Sequence, residues 1–222
     1  MPNDLRTHAI VLRRTNYGES DRILNLLTPE GKIAVLARGV RKAKSRLAGG
    51  VELFSMADVV IHQGRASLGT LTSAKMLQFY GGILTDVSRL GLAGNILKQL
   101  DRAAEQVSTP EHFSLLQQSL QALDRGQPSD LVACWFTLNL RRVGGEELNL
   151  IYDIFGEKLS PELKYYWDTS ENALRPDITG RISSSEIKLV RFLLSNPLAW
   201  AARIQNLHEI LPAVQEMIKT LE

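Results

Sequence analysis

The feature that most constrains the fold of this chain is a change of hydrophobic period near residue 80. Before it, apolar residues come in short runs broken by glycine and turn formers, the pattern of half-buried strands. We read five strands there: Thr7 to Arg13, Arg22 to Leu27, Lys32 to Arg38, Met56 to His62 and Ser67 to Ala74. Thr28-Pro29-Glu30-Gly31 is the clearest hairpin signal, and Gln63-Gly64-Arg65 marks a second turn. Five short strands with a long connection between the third and fourth suit a closed OB-type barrel, although an SH3-like barrel gives a similar pattern.

After residue 80 the period becomes helical, with Leu90, Ala93, Leu97 and Leu100 on one face. Helix-start signals recur at Thr109-Pro110-Glu111, Ser129-Asp130, Ser160-Pro161-Glu162 and Ser183 to Glu186. Asn196-Pro197 should stop one helix, and a last one should cover Ile204 to Leu221, bent or restarted at Pro212. The expected class is therefore α+β: a barrel domain over 1–80 and an α-helical domain over 81–222. Within the latter, residues 149–180 have weak periodicity and predict a compact irregular insert.

Charge is divided in the same way. Residues 1–80 carry twelve Lys and Arg against six acids, a net +6, whereas the remainder has fourteen against eighteen, a net −4. From Gly31 through Val51 there is no acid at all, while Lys32, Arg38, Arg41, Lys42, Lys44 and Arg46 are basic, and Gly39, Gly49 and Gly50 permit bends. Cations on a loop beside a barrel can follow a phosphodiester backbone, with binding that weakens as salt rises. The expected DNA-contacting set is Arg38, Arg41, Lys42, Lys44 and Arg46, flanked by Arg14 and Lys32. Aromatic residues for base stacking are few: Tyr17, Phe54, Phe79 and Tyr80. Phe54 reads as core and Tyr17, before Gly18 in a turn, as exposed.

The ordered elements Tyr17-Gly18-Glu19-Ser20-Asp21, Thr28 to Lys32, and Ala37-Arg38-Gly39-Val40-Arg41 followed by Lys44-Ser45 resemble the RecO family of bacterial DNA repair proteins. The resemblance is strong over residues 5–80 and collinear to the end. It implies an OB domain followed by a helical domain, binding of single- and double-stranded DNA, annealing of complementary strands, and help in loading RecA onto strands coated by single-stranded DNA-binding protein. The implied partners are RecR and the acidic C-terminal tail of that single-strand binder. The family's basic motif falls on Arg38, Arg41, Lys42, Lys44 and Arg46, whereas Glu19-Ser20-Asp21 reads as a turn leading into the second strand. Arg141 and Arg142 are candidates for the tail peptide, set against a plain role in stabilising a helix C-terminus. Some family members hold zinc through four cysteines near the region of Asn149 to Pro176. Here Tyr152-Asp153-Ile154-Phe155-Gly156 stands where the first Cys-x-x-Cys-Gly would be, so no metal and no cofactor is expected.

The remaining chemistry does not assemble. Gly64 and Gly69 have phosphate-loop spacing, but Thr70-Leu71 follows in place of Lys-Ser or Lys-Thr. Pro212 stands where a His208-Glu209 zinc-protease motif needs its second histidine, and Glu146-Glu147 are adjacent on the chain and do not face each other. The single cysteine, Cys134, sits in an apolar run and reads as a buried thiol. No catalytic set is found, and a binding protein is expected rather than an enzyme. The N-terminus lacks a signal-peptide pattern and no apolar run reaches the roughly 18 residues of a membrane span, so a cytoplasmic protein without membrane association is expected. Two alternatives to the recombination mediator are a general OB-type nucleic-acid binder without annealing activity and an adaptor whose basic loop contacts an acidic protein.

Overall fold

The structure, a computed structural model, describes residues 4–64, 68–106, 108–201 and 203–221 and divides into two compact units, Met1–Gly126 and Gln127–Glu222.

The first unit is built on a closed barrel of five strands: β1 (Asp4–Tyr17), β2 (Asp21–Thr28), β3 (Gly31–Ala37), β4 (Ser55–His62) and β5 (Gly69–Phe79). The order around it is β1-β2-β3-β5-β4, with β4 closing onto β1; every pairing is antiparallel except that of β3 with β5. Alternation along the strands sends Ala9, Val11, Leu24, Leu26, Val35, Ala37, Val59, Ile61 and Leu71 into one core. All five expected strands are present. Strands β1 and β5 run longer than their apolar patterns: among the added residues, Thr15 to Tyr17 and Lys75 to Leu77 are exposed and show no alternation of burial. Ser67 and Arg65, the expected start of the fifth strand and end of its turn, lie outside the described residues. At the hairpin, Thr28 Oγ1 donates to Gly31 O (2.8 Å) and Gly31 holds φ +129°, a conformation that only glycine adopts readily.

The outward faces of β1 and β2 are apolar too: Ile10, Leu12 and Leu27 are buried. Helices α1 (Val87–Gln106) and α2 (Pro110–Asp124) pack against the barrel strands, which is why β2 is buried continuously from Leu24 to Thr28. The face of α1 that does this is Ala93, Ile96, Leu97, Leu100 and Ala104; Leu90, expected on that stripe, is 40% exposed one turn too early. Thr109 caps α2, donating its backbone N–H to His112 Nδ1 (3.2 Å). The compact unit therefore ends at residue 126, not where the period changes at 80.

The second unit contains α3 (Ser129–Val143), β6 (Asn149–Asp153), β7 (Tyr165–Asp168), β8 (Ala173–Pro176), α4 (Ser184–Ser195), α5 (Leu198–Ala201) and α6 (Leu207–Lys219). The expected irregular insert is instead a three-stranded sheet of order β6-β8-β7. Strands of four or five residues are too short to reveal a period of two, so the sequence hides them. Ser160-Pro161-Glu162 starts no helix: the Ser160 hydroxyl bonds the Glu162 carboxylate in a turn. The Ser183 to Glu186 signal does cap α4, with the Ser183 N–H donating to Glu186 Oε2 (2.7 Å), and α4 stops before Asn196-Pro197. Pro212 lies within α6. Cys134 is buried on α3.

Candidate nucleic-acid interface

The connection from β3 to β4, residues 38–54, is a folded plug over one end of the barrel. Val40 and Val51 are 3% and 1% exposed and belong to the barrel core, with Leu47 and Leu53 partly buried against it. Between these anchors the backbone closes successive turns: Lys42 N–H to Gly39 O (3.1 Å), Ser45 N–H to Lys42 O (3.0 Å) and Gly50 N–H to Leu47 O (3.1 Å). Gly50 is buried so closely against β5 that a Cβ would stand 2.6 Å from both Ala74 Cβ and Ala74 O. With its apolar residues turned in, the segment sends Arg38, Arg41, Lys42, Lys44 and Arg46 outward, and all five are exposed.

The turn between β1 and β2 fixes the root of the plug. Asp21 Oδ1 accepts from the Gly39 N–H (2.7 Å), the Arg41 N–H donates to Ser20 O (2.9 Å), and the Arg41 guanidinium reaches Gly18 O (3.3 Å). The Gly39 N–H, aided by the Ser20 hydroxyl and the charges of Arg38 and Lys42, holds the Asp21 carboxyl below its usual range. The Glu19-Ser20-Asp21 element is thus structural, as read from the sequence, and its specific task is to clamp the basic segment. Gly39 at φ +63° turns the chain at the clamp.

The five cations differ from their flanking neighbours. Among the described residues none of the five forms an ion pair with an acid. Arg14, by contrast, is bound by Glu52 (2.6 Å) on the plug and ties β1 to it. Lys32 is more deeply committed. Its side chain is 11% exposed, with Nζ 2.6 Å from Asp101 Oδ1 and 3.0 Å from Glu105 Oε1 on α1. Asp101 also accepts from Asn25 Nδ2 (3.0 Å) and lies 3.3 Å from Arg13 Nε. Burial pushes the Asp101 carboxyl up, but the Lys32 and Asn25 bonds and the Lys32 and Arg13 charges outweigh it and bring it below the usual range. Lys32 therefore fastens the barrel to α1, and Arg14 stiffens the plug. The acids that neutralise them, Glu52 and Asp101, lie outside the acid-free stretch.

Of the aromatic residues, Tyr17 is 55% exposed and Phe54 is 7% exposed, as their contexts suggest. Phe79 is exposed; Tyr80 is fully buried, and burial raises its hydroxyl pKa to about 12.

In the second unit, Arg141 bonds Glu146 (2.7 Å) and the Leu221 carbonyl, and Arg142 bonds Asn139 Oδ1 (3.2 and 3.3 Å). These are contacts at the end of α3. There the Glu146 N–H bonds Arg141 O, and the N–H of Gly145 (φ +85°) bonds Arg142 O, the double closure that ends many helices. The region of the family's zinc does not fit that metal: it offers Tyr152 and Phe155 where thiolates would stand. Among the described residues no three His, Cys, Asp or Glu side chains are grouped to hold an ion. Tyr165, Trp167 and Leu174 are buried there, and Arg175 pairs with Asp168 (2.6 Å). No helix among the described residues is long and apolar enough to cross a membrane.

Comparison with known proteins agrees with the sequence resemblance. The model of the recombination protein O N-terminal family matches residues 1–80, and that of the C-terminal family matches residues 84–221. A DNA repair protein RecO of Dehalococcoides mccartyi (strain CBDB1) is 30% identical over 98% of this chain and 89% of its own length. That of Roseiflexus sp. (strain RS-1) is 35% identical over 87% of this chain and 71% of its own. With both family models matched in order along the sequence that builds the barrel, its plug and the helical unit, the chain belongs to the RecO family.

Proposed function

We propose that this protein acts in DNA repair as a recombination mediator, binding DNA by its barrel unit, and that it is not an enzyme. The observation that carries this reading is the plug: five exposed cations that form no ion pair among the described residues, held outward by buried Val40 and Val51 and clamped by Asp21. Such a surface releases counterions from phosphates and reads no base sequence. Family membership supports the finer reading: binding of single and double strands, annealing of complementary strands, and assistance to RecA loading on strands coated by single-stranded DNA-binding protein. RecR and the tail of that binder are the proposed partners, in a cytoplasmic, nucleoid-associated setting. Arg141 and Arg142 are the proposed tail contacts, and they would have to exchange their present bonds for the peptide's carboxylates.

The test is a titration of fluorescent single-stranded DNA at several salt concentrations, followed by an annealing assay with complementary oligonucleotides. Five phosphate contacts predict a slope of log affinity against log salt of about −3.5. Binding without annealing favours a general nucleic-acid binder, and salt-insensitive or absent binding favours a protein adaptor.

A further inference from the structure

We infer that Tyr17, with Ile23 diagonally across the β1–β2 pair and Leu36 next to Ile23 on β3, forms a base-stacking subsite that gives the DNA surface a preference for single strands. This rests on the DNA-binding reading above and adds a residue-level discriminator to it.

Register places the residues on one face. Tyr17 is the Cα partner of Asp21, Thr15 of Ile23, and Ile23 of Leu36, and side chains directly opposite in an antiparallel pair project from the same side of a sheet. The neighbouring pairs of the other parity, Arg14 with Leu24 and Leu24 with Val35, include the barrel-core residues Leu24 and Val35. Tyr17, Ile23 and Leu36 therefore share the outer face. On that face Asp21 accepts the Gly39 N–H, so the tyrosine stands across one rung from the residue that roots the basic plug. Further along the same face Asn25 is covered by its bond to Asp101 of α1. The open portion is consequently short: an aromatic ring 55% exposed opposite Asp21, exposed Thr15, two partly buried aliphatic side chains, and the cationic plug adjoining.

The occupant follows from this pairing of surfaces. Exposed cations take phosphates, and a ring beside an aliphatic floor takes the flat face of a base. A duplex keeps its bases stacked within and offers only the first of these. Single-stranded nucleic acid engages both.

The experiment compares wild type, Tyr17→Ala and Tyr17→Phe on three probes of equal length: oligothymidylate, an abasic oligonucleotide and a blunt duplex. Tyr17→Ala should weaken oligothymidylate binding by about 5- to 100-fold and leave abasic and duplex affinities within about 2-fold, whereas Tyr17→Phe retains wild-type behaviour on all three. Thermal melting confirms an intact barrel, because the ring is exposed. If Tyr17→Ala weakens all three probes equally, or none, the subsite is overturned while plug-driven binding stands. If wild type binds none of the probes, the DNA-binding reading fails and the subsite with it.

Discussion

Cations from the basic first 80 residues of the chain end in opposite states. Lys32 sits between Asp101 and Glu105 with its side chain 11% exposed, whereas Arg38, Arg41, Lys42, Lys44 and Arg46 face solvent and form no ion pair among the described residues. Lys32 holds α1 to the barrel; the plug's five cations remain available to an external anion. Net charge counts both alike, so the +6 of residues 1–80 overstates the positive surface left uncovered. What separates Lys32 from these five is what lies above them: α1 carries its acids over β3, while the plug turns valines inward and leaves its basic side chains uncovered.

The largest test of this contrast reverses charge on the plug. Arg41→Glu, Lys42→Glu and Lys44→Glu together should weaken single-stranded DNA binding by at least about 100-fold at low salt and flatten its salt slope. The melting temperature should shift little, because exposed charges contribute little to stability. A comparable loss of stability would show that the plug's charges are structural after all. Lys32→Met should do the reverse. Removing the ammonium leaves Asp101, 14% exposed, without its closest cation, and destabilisation of about 1 to 3 kcal/mol is expected in denaturant melts. DNA affinity measured below the transition should change by less than about 2-fold. A large affinity loss with unchanged stability would move Lys32 back into the binding surface.

The smallest effect sharpens the picture of what α2 contributes to the barrel unit. His112 is buried, its Nδ1 accepts the Thr109 N–H, and burial lowers its pKa from the usual 6.5, against an opposing pull from Glu111. Its neutral form is thus favoured in the folded state. The resulting stability is fully present above the unfolded-state value near 6.5 and is lost as pH falls through the lowered folded-state value. Wild-type melting temperature should therefore drop as pH falls below 6.5, and His112→Gln should reduce the drop. An equal drop in the variant would assign the acid sensitivity to other groups.

Much of the barrel was legible because its strands carry enough alternating apolar residues to declare a period of two, and the hairpin at Thr28 to Gly31 carries the turn chemistry as well. The three strands around Tyr165 and Leu174 were not, because four or five residues are too few to show any period. The site divides in the same manner. The absence of acids from Gly31 through Val51 marked the basic segment, but Val40, Gly50 and Val51 gave no sign that it is a plug, since isolated small residues in a polar stretch read as bends. The boundary at residue 80 is a true change of local structure, yet α1 and α2 belong to the barrel's compact unit because Ile10, Leu12 and Leu27 need cover that no strand supplies.

The sequence by itself determined the α+β class, the order of the barrel strands along the chain, the main helix caps and the concentration of positive charge, because each of these rests on residues close together in the chain. Tertiary structure alone decided which cations remain open. Whether a lysine is neutralised depends on an aspartate about seventy positions away, brought to 2.6 Å by the packing of α1 on the barrel. Whether a tyrosine borders the basic plug depends on the pairing of β1 with β2 and on a clamp between Asp21 and Gly39 at the end of the β2–β3 pair.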